Sequence, residues 1–365
     1  MPEGKDYWNP YRLVPARDKV DRRAPWTDER FRGVSGLIHC TLENLTPLFI
    51  GVQSSGPRHS PLRREKHYRV VPGSSLKGML RSLAELVGGG CFVVSDINSP
   101  KPPHANACTK REELCITCRM FGAMGKGSNA WVHKGKVSIG DAVIKEAEPR
   151  PKDFEVLLAN HGVRHEPFYR SPHTNKLDGE SRKLYFHQPQ RKESTPAIPE
   201  GLKTHAWKIN AVLPGHHFDF EVQFTSLEDD EFSLLLYVLH LEEHVDVQLK
   251  SQKLRLQGPM RHKIGNAKPL GMGSCHIRVN RLTLFPSPKD RFSTMGTQNN
   301  SVWESQELES KIQKHIQPFV EDKSPTMVAL RKMMVWDERD PRVFRYPTFH
   351  EFKSREFTDV PLKKL

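Results

Sequence analysis

Between Pro72 and Val87 the apolar residues Leu76, Met79, Leu80, Leu83, Leu86 and Val87 recur at three- and four-residue steps, the spacing that lines one face of a helix. Pro72-Gly73 is a turn dipeptide, and the hydroxyl of Ser74 or Ser75 is placed to meet the first free backbone N–H groups. A helix with one buried stripe is therefore predicted to start abruptly here. On either side the pattern changes to strand-like runs: Leu37 to Leu42, Lys136 to Ile144, His205 to Leu213, Phe218 to Thr225 and Cys275 to Phe285. Pro214-Gly215 turns the third of these into the fourth. Ser226 is expected to cap a second helix, with Phe232, Leu235, Leu236 and Leu239 as its apolar stripe. With the two runs joined at Pro214-Gly215 counted once, the core order is strand, helix, strand, strand, helix, strand, an α+β chain of the ferredoxin-like βαββαβ plan.

That plan assigns residues 37–285 to the core and leaves two insertions, at about 88–127 and about 145–204. Residues 1–36, polar and rich in Pro and Arg, read as an N-terminal arm that packs on a neighbour or stays loose. Residues 286–365 read as an extension with two helices, near Trp303 to Val320 and Thr326 to Val335, and a basic tail.

Charge narrows the class of partner. The chain has 56 Lys and Arg against 43 acids, a formal charge of +13 spread along its length, which favours a polyanion, foremost a nucleic acid. No apolar run is long enough to cross a bilayer, and MPEGKDYWNPYR lacks the apolar centre of a signal peptide, so a cytoplasmic chain with no membrane partner is expected. Its cysteines should then be reduced, and a cluster of them points to metal before disulfides.

Four cysteines gather in the first insertion: Cys91, Cys108, Cys115 and Cys118. The Cys115-x-x-Cys118 spacing lets two thiolates of one turn meet a tetrahedral ion, and the Pro- and Gly-rich loop has no apolar stripe to bury idle thiols. A structural zinc site is expected, with His104 as the substitute ligand if Cys91 is unused. A redox role for the CxxC pair would want a thioredoxin-like βαβ setting, which is not visible.

Basic residues mark four places. Lys77 and Arg81, four residues apart near the start of the first helix, would flank an anion at its N-terminus, although the same spacing fits a solvated face closed by Glu85. The loop from Gly51 to Arg69 holds Arg58, Arg63, Arg64, Lys66 and Arg69 with one acid, Glu65, and reads as a wrap around a phosphate backbone or a solvated basic loop. In the second insertion HEPFYR, with Phe168, Tyr169 and Arg170, and RKLYFHQP interleave rings with cations, as base stacking beside phosphate contact requires and as plain hairpins with one packed face also do. KIGNAKPLGMGS, from Lys263 to Ser274, is a glycine-rich loop.

Six stretches, PGSSLKGMLRSLAE, CITCRMFGAMG, KVSIGDA, RKLYFHQP, AVLPGHHFDFEVQFTSL and KIGNAKPLGMGS, stand in the order in which the RAMP superfamily carries its equivalents. Over roughly Leu37 to Phe285 the chain resembles a backbone subunit of a class 1 CRISPR effector complex, of the type III-D-like or type VII kind. The resemblance implies a modified RNA-recognition fold with a zinc finger and a β-hairpin thumb. It implies a protein that binds guide RNA, captures complementary target RNA, assembles with copies of itself into a helical filament and works with a cap subunit and a separate nuclease. Ser74, Ser75, Lys77 and Arg81 fall on the family's guide-contacting helix; Lys268, Gly271, Gly273 and Ser274 fall in its glycine-rich loop, where glycines would bring backbone N–H groups close to phosphates. Active relatives cut target RNA with an aspartate between the first strand and this helix. Residues 51–69 contain no Asp, so a non-cutting scaffold is expected. The alternatives are target cleavage through Glu65, His59 or His67, and a guide-processing endoribonuclease.

Overall fold

The computed structural model describes residues 8–27, 32–51, 63–65, 68–92, 105–125, 130–144, 151–158, 166–170, 179, 181–195, 197–198, 203, 206–249, 254–287 and 300–346. Its centre is a nine-stranded sheet of β1 (Val34–Asn44), β2 (Arg63–Glu65), β3 (Tyr68–Val71), β4 (Val137–Ile139), β5 (Ala142–Ile144), β6 (His217–Leu227), β7 (His262–Lys263), β8 (Ser274–Leu284) and β9 (Ser301–Glu304). Strands follow one another across it as β7-β8-β1-β6-β5-β3-β2, with β9 added to β8 and β4 to β6. Every pairing is antiparallel. Within it β8, β1, β6 and β5 stand side by side, so the third core strand lies between the first and second, the split order that the βαββαβ reading requires.

Alternation along β1 and β6 decides which face is covered. Ile38, Cys40, Leu42, Phe218, Phe220, Val222 and Phe224 all point inward and are buried under α1 (Gly73–Val87) and α3 (Asp229–His240). Each phenylalanine so buried is worth about 1.5–3 kcal/mol, which fixes the register against a one-residue slip. The opposite face holds His39, Thr41, Glu43, His217, Asp219, Glu221, His276, Arg278 and Asn280. Thr41 donates to Asp219 (2.6 Å), Asn280 donates to Thr41 (2.7 Å), His39 meets Glu221 (3.1 Å) and Arg278 meets Glu43 (2.6 Å). None of these outward residues is Phe, Tyr or Trp, and the rings this face presents are the imidazoles of His39, His217 and His276.

Several boundaries differ from the sequence expectation, each for a visible reason. Lys136 to Ile144 is two strands, because Gly140 donates to the Glu221 carbonyl (2.9 Å) and bends the chain around the start of α1. Trp207–Val212 leaves the core and pairs with Pro151–Val156 in a separate ribbon, whose Phe154, Val156, Ile209 and Ala211 form their own small core with Leu270 and Met272. The cap of α3 is Glu228, in a reciprocal box with Glu231, while the backbone N–H of Ser226 donates to Ser35 Oγ (2.9 Å). Helix α3 is buried well beyond its predicted stripe. The extension supplies α4 (Ser305–Val320) and α5 (Pro325–Met334), and α4 closes over α3 with Leu308, Ile312 and Ile316.

The arm is not loose where it is described. Tyr11–Pro15 pairs antiparallel with Ser181–Tyr185, because Tyr11, Leu13 and Val14 are apolar and buried, and Trp8 bridges to Phe344. Further along, Arg22–Arg23 pairs with Leu114–Cys115 beside the cysteine segment.

Candidate nucleic-acid interface and metal centre

The four cysteines of the first insertion come together. Cys91 follows the glycines that end α1, Cys108 lies in the loop, and Cys115 and Cys118 flank the start of the short helix α2 (Ile116–Phe121). All four are buried, and their sulfurs lie within 4.8 Å of one another. Cys91 and Cys118 Sγ are 3.5 Å apart, Cys108 and Cys91 Sγ 3.8 Å. Four sulfurs about 2.3 Å from one tetrahedral ion would stand about 3.8 Å apart, so the set fits a metal ion. Backbone N–H groups already face two sulfurs: that of Cys91 donates to Cys115 (3.3 Å) and that of Cys115 to Cys108 (3.2 Å). Hydrogen bonds from Cys108, Cys118 and Cys91 push the Cys115 thiol well below its usual range, so the cluster favours a thiolate, the form that binds metal. Val20 from the arm and Trp131 pack on the cluster. The alternate ligand His104 lies outside the described residues.

Helix α1 ends against this centre, and its cations are spoken for. Arg81 donates to the Gly122 carbonyl (3.0 Å), approaches Cys118 Sγ (3.7 Å) and pairs with Glu85 (3.3 Å). Glu85 is itself buried, pairs also with Arg182, and has its carboxyl raised by burial against the pull of Arg182 and Arg81. Lys77 donates to the Val137 carbonyl (3.1 Å), with its ammonium pKa lowered first by burial and then by Arg81. At the N-terminus neither serine caps the helix. The Asp141 carboxylate does, accepting from the Gly73 N–H (2.7 Å). Gly73 is required because a Cβ there would lie 2.3 Å from the Ile139 carbonyl oxygen. The helix end that would suit a phosphate thus already holds an anion, and Lys77 and Arg81 each reach a neighbouring segment. Ser74 is exposed and Ser75 half-buried.

In the glycine-rich loop the arrangement is reversed. The backbone N–H groups of Gly271, Gly273 and Ser274 donate within the chain, to Lys268 O (3.1 Å), Pro47 O (2.9 Å) and Thr46 Oγ1 (2.9 Å). The glycines shape the loop and are not its free donors: Gly273 has φ +80°, and a Cβ on it would lie 1.8 Å from the Ile264 carbonyl oxygen. What the loop leaves available is two ammonium groups. Lys263 Nζ donates to Ser274 Oγ (3.1 Å) and weakly to Gly271 O (3.4 Å). Buried His187 holds that hydroxyl from the other side: Nε2 donates to the Arg261 carbonyl (2.9 Å), so Nδ1 accepts from Ser274 (2.8 Å), and burial keeps the ring neutral. Burial, then Lys268, pushes the Lys263 amine down to about 7, and burial lowers Lys268 as well. Among the described residues no carboxylate pairs with either lysine. Sequence reading missed Lys263, His187 and Asp141, although Lys263 opens the glycine-rich motif and Asp141 stands in KVSIGDA.

The remaining candidates divide. Phe168 is 1% exposed, packed with Tyr11, Tyr169, Tyr185 and Tyr346, and so has no face to give a base. Tyr169 stacks on Tyr11 at 5.8 Å and accepts from Lys183 (2.8 Å); Arg170 is half-buried beside it. Exposed aromatic surface is instead found at Trp207, 53% exposed at one end of the ribbon. Arg58, His59 and His67 lie outside the described residues. So do the side chains of Arg63, Arg64 and Glu65, whose backbone forms β2.

An α+β sheet protein with a cysteine centre able to hold a metal ion and a loop with cations but no acids fits a family that handles RNA. A family model of the RAMP superfamily matches residues 41–275, from within β1 through α1, the cysteines and the ribbon to the start of β8. The chain belongs to the RAMP superfamily, which marks it as a CRISPR-associated RNA-binding subunit. No curated protein matches it. Among the described residues no helix is long and apolar enough to cross a membrane.

Proposed function

We propose that this chain is a guide-RNA-binding backbone subunit of a class 1 CRISPR ribonucleoprotein, of the type III-D-like or type VII kind. It holds guide RNA by its phosphates, captures complementary target RNA alongside further copies of itself, and leaves cutting to a separate nuclease. The observation that carries the reading is the family match across the whole core, joined to a glycine-rich loop whose Lys263 and Lys268 have no acid partner among the described residues. A subunit that must accept any guide should grip phosphate and backbone shape in place of base edges, and lysines framed by glycines do that. The ion at Cys91, Cys108, Cys115 and Cys118 is zinc in this reading, since four thiolates in a closed, buried set suit a structural zinc. The ribbon of Pro151–Val156 and Trp207–Val212, with its exposed Trp207, supports a thumb within the second insertion.

The absence of Asp from residues 51–69 favours a scaffold over a cutting subunit. In-line attack by a 2′-hydroxyl needs a base, and Glu65 stands between Arg64 and Lys66, whose charges disfavour one. The test is to purify the complex from cells expressing the whole operon and sequence its RNA, then give the subunit, loaded with guide but without partners, labelled complementary RNA and divalent metal. Co-purifying guide with no cleavage supports the reading. Cleavage abolished by Glu65→Ala, or by changing His59 and His67, would replace it with the cutting alternative.

A further inference from the structure

A cleft of about 730 Å³ lies where four parts of the chain meet: the arm at Pro15–Asp21, the end of α1, the start of α3 and the junction of α4 with α5. That volume is within the range of about 300–1,000 Å³ typical of ligand pockets. Its floor is apolar, with Val87, Ile116, Leu234 and Phe319. The guanidinium in its wall is already neutralised: Arg17 donates to the Val87 carbonyl (3.1 Å) and to Ser324 Oγ (3.0 Å) and pairs with Asp322 (2.6 Å). The rim is acidic. Asp21 pairs with Lys19 (2.6 Å), and Asp230 pairs with Arg23 (2.8 Å) and Arg119 (3.4 Å). Asp18 on the arm and Asp229 in the first turn of α3 are exposed, and neither carboxylate has a hydrogen-bond or ion-pair partner among the described residues; Asp229 only lends its field to His315. Two unpaired acids beside an apolar floor complement an occupant with an apolar body and two cations.

The chain carries such a segment at its own C-terminal end. Val360-Pro361-Leu362-Lys363-Lys364-Leu365 has four apolar residues, two lysines and no acidic side chain. Its tether starts close by. Tyr346, the last described residue, packs on Tyr11 (6.2 Å between ring centroids), and the strand Tyr11–Pro15 runs from there to the rim of the cleft, about 13 Å at about 3.3 Å per residue. Residues 347–359 can cover up to about 45 Å when extended, so the reach is ample, and a tether of this kind gives a local concentration on the order of millimolar. We infer that Val360 to Leu365 dock in this cleft of their own chain, with the apolar residues on its floor and Lys363 and Lys364 at Asp18 and Asp229. Docked there, the tail straps the arm to the end of α1 and to the α4–α5 junction, the same segments that Arg17 bridges from within. The contact needs no RNA and stands whether or not the chain binds one.

The first test needs no variant. The full chain, as an equal mixture of unlabelled and nitrogen-15-labelled protein at low concentration, is treated with a carbodiimide, which joins an amine directly to a carboxylate, and digested for mass spectrometry. Lys363 or Lys364 is expected to be joined to Asp18 or Asp229, in peptide pairs of matching label. Pairs of mixed label would put the tail on a second copy, and the absence of any such link would leave the cleft to another occupant; either result overturns the inference. The second test uses a fluorescent peptide of residues 358–365 as the probe. It should bind the full chain at least tenfold more weakly than a chain carrying Lys363→Glu with Lys364→Glu, because the wild-type tail already fills the cleft and the reversed one does not. Adding Asp18→Asn and Asp229→Asn to that chain should weaken the peptide about three- to tenfold, as the loss of two exposed ion pairs implies. Equal binding to wild type and the charge-reversed chain, or binding indifferent to Asp18 and Asp229, would overturn it as well.

Discussion

The start of α1 and the glycine-rich loop are both basic, and both belong to stretches that resemble RNA-contacting segments of one family, yet they use their cations in opposite ways. At α1, Arg81 ties the helix to Gly122, Cys118 and Glu85, Lys77 reaches the Val137 carbonyl, and Asp141 occupies the helix N-terminus. In the loop, Lys263 and Lys268 are partly buried with no acid among the described residues, and the backbone donors are already consumed by the fold. A cation with its partners in place is part of the architecture. A cation that the fold partly desolvates and leaves without an opposite charge is destabilising until a ligand arrives, and so marks a binding site more sharply than a count of lysines does.

The largest effect should come from dismantling the α1 side. Removing an ion held at Cys91, Cys108, Cys115 and Cys118 by a strong chelator, or replacing Cys115 by serine, should withdraw the bonds that would tie these four residues together beside Arg81. Structural zinc in small motifs is worth about 10 kcal/mol or more in isolation, so thermal unfolding should shift down strongly and protease cuts should appear first in this segment. Metal analysis should find one equivalent in pure protein. A transition unmoved by chelation, in protein that bound no metal, would remove the metal centre from the comparison.

The next effect sharpens the loop side. Lys263→Ala with Lys268→Ala should weaken RNA binding on the order of 10- to 100-fold and flatten the slope of log affinity against log salt by about 1.4, roughly 0.7 for each lost phosphate contact. Stability should not fall with it. The folded chain holds the Lys263 amine at about 7 against an ordinary 10.5, so the unfolded chain binds the proton better between those values and native stability rises with pH across that window. Removing the amine should raise the melting temperature at pH 7 and flatten that rise. An unchanged salt slope would assign the RNA contact elsewhere.

The smallest effect tests whether α1 is architecture. Arg81→Ala leaves buried Glu85 with Arg182 alone and the Gly122 carbonyl unpaired, a loss of about 1–3 kcal/mol in denaturant unfolding. Its salt slope for RNA should match wild type. A reduced slope at unchanged stability would return the helix to the interface.

The six-element core was legible because strands such as Phe218 to Thr225 and the helix at Leu76 to Val87 bury one face and alternate or recur accordingly. So was the cysteine set, since thiol spacing survives whatever the loop does. What lay beyond reading was long-range partnership. Arg81 looks the same in a sequence whether it faces solvent or Cys118, and Asp141 lies 68 residues from the N–H it accepts. Phe168 and Tyr169 read as a stacking surface, but Tyr11, distant in sequence, covers them. The extension's burial of α3 was equally hidden, because a helix covered on both sides and one with a single stripe differ only in what folds onto them.

The outward face of the sheet has a consequence for where RNA can run. Asp219 and Glu221 stand exposed there, among histidines, Thr41 and Arg278, in a chain whose formal charge is +13. At physiological salt their field reaches about 8 Å, far enough to raise the energy of a phosphate chain laid flat across the strands. A phosphate chain laid flat there would meet Asp219 and Glu221 as well as Arg278, whereas one at the rim would meet Lys263 and Lys268, which have no acid partner among the described residues.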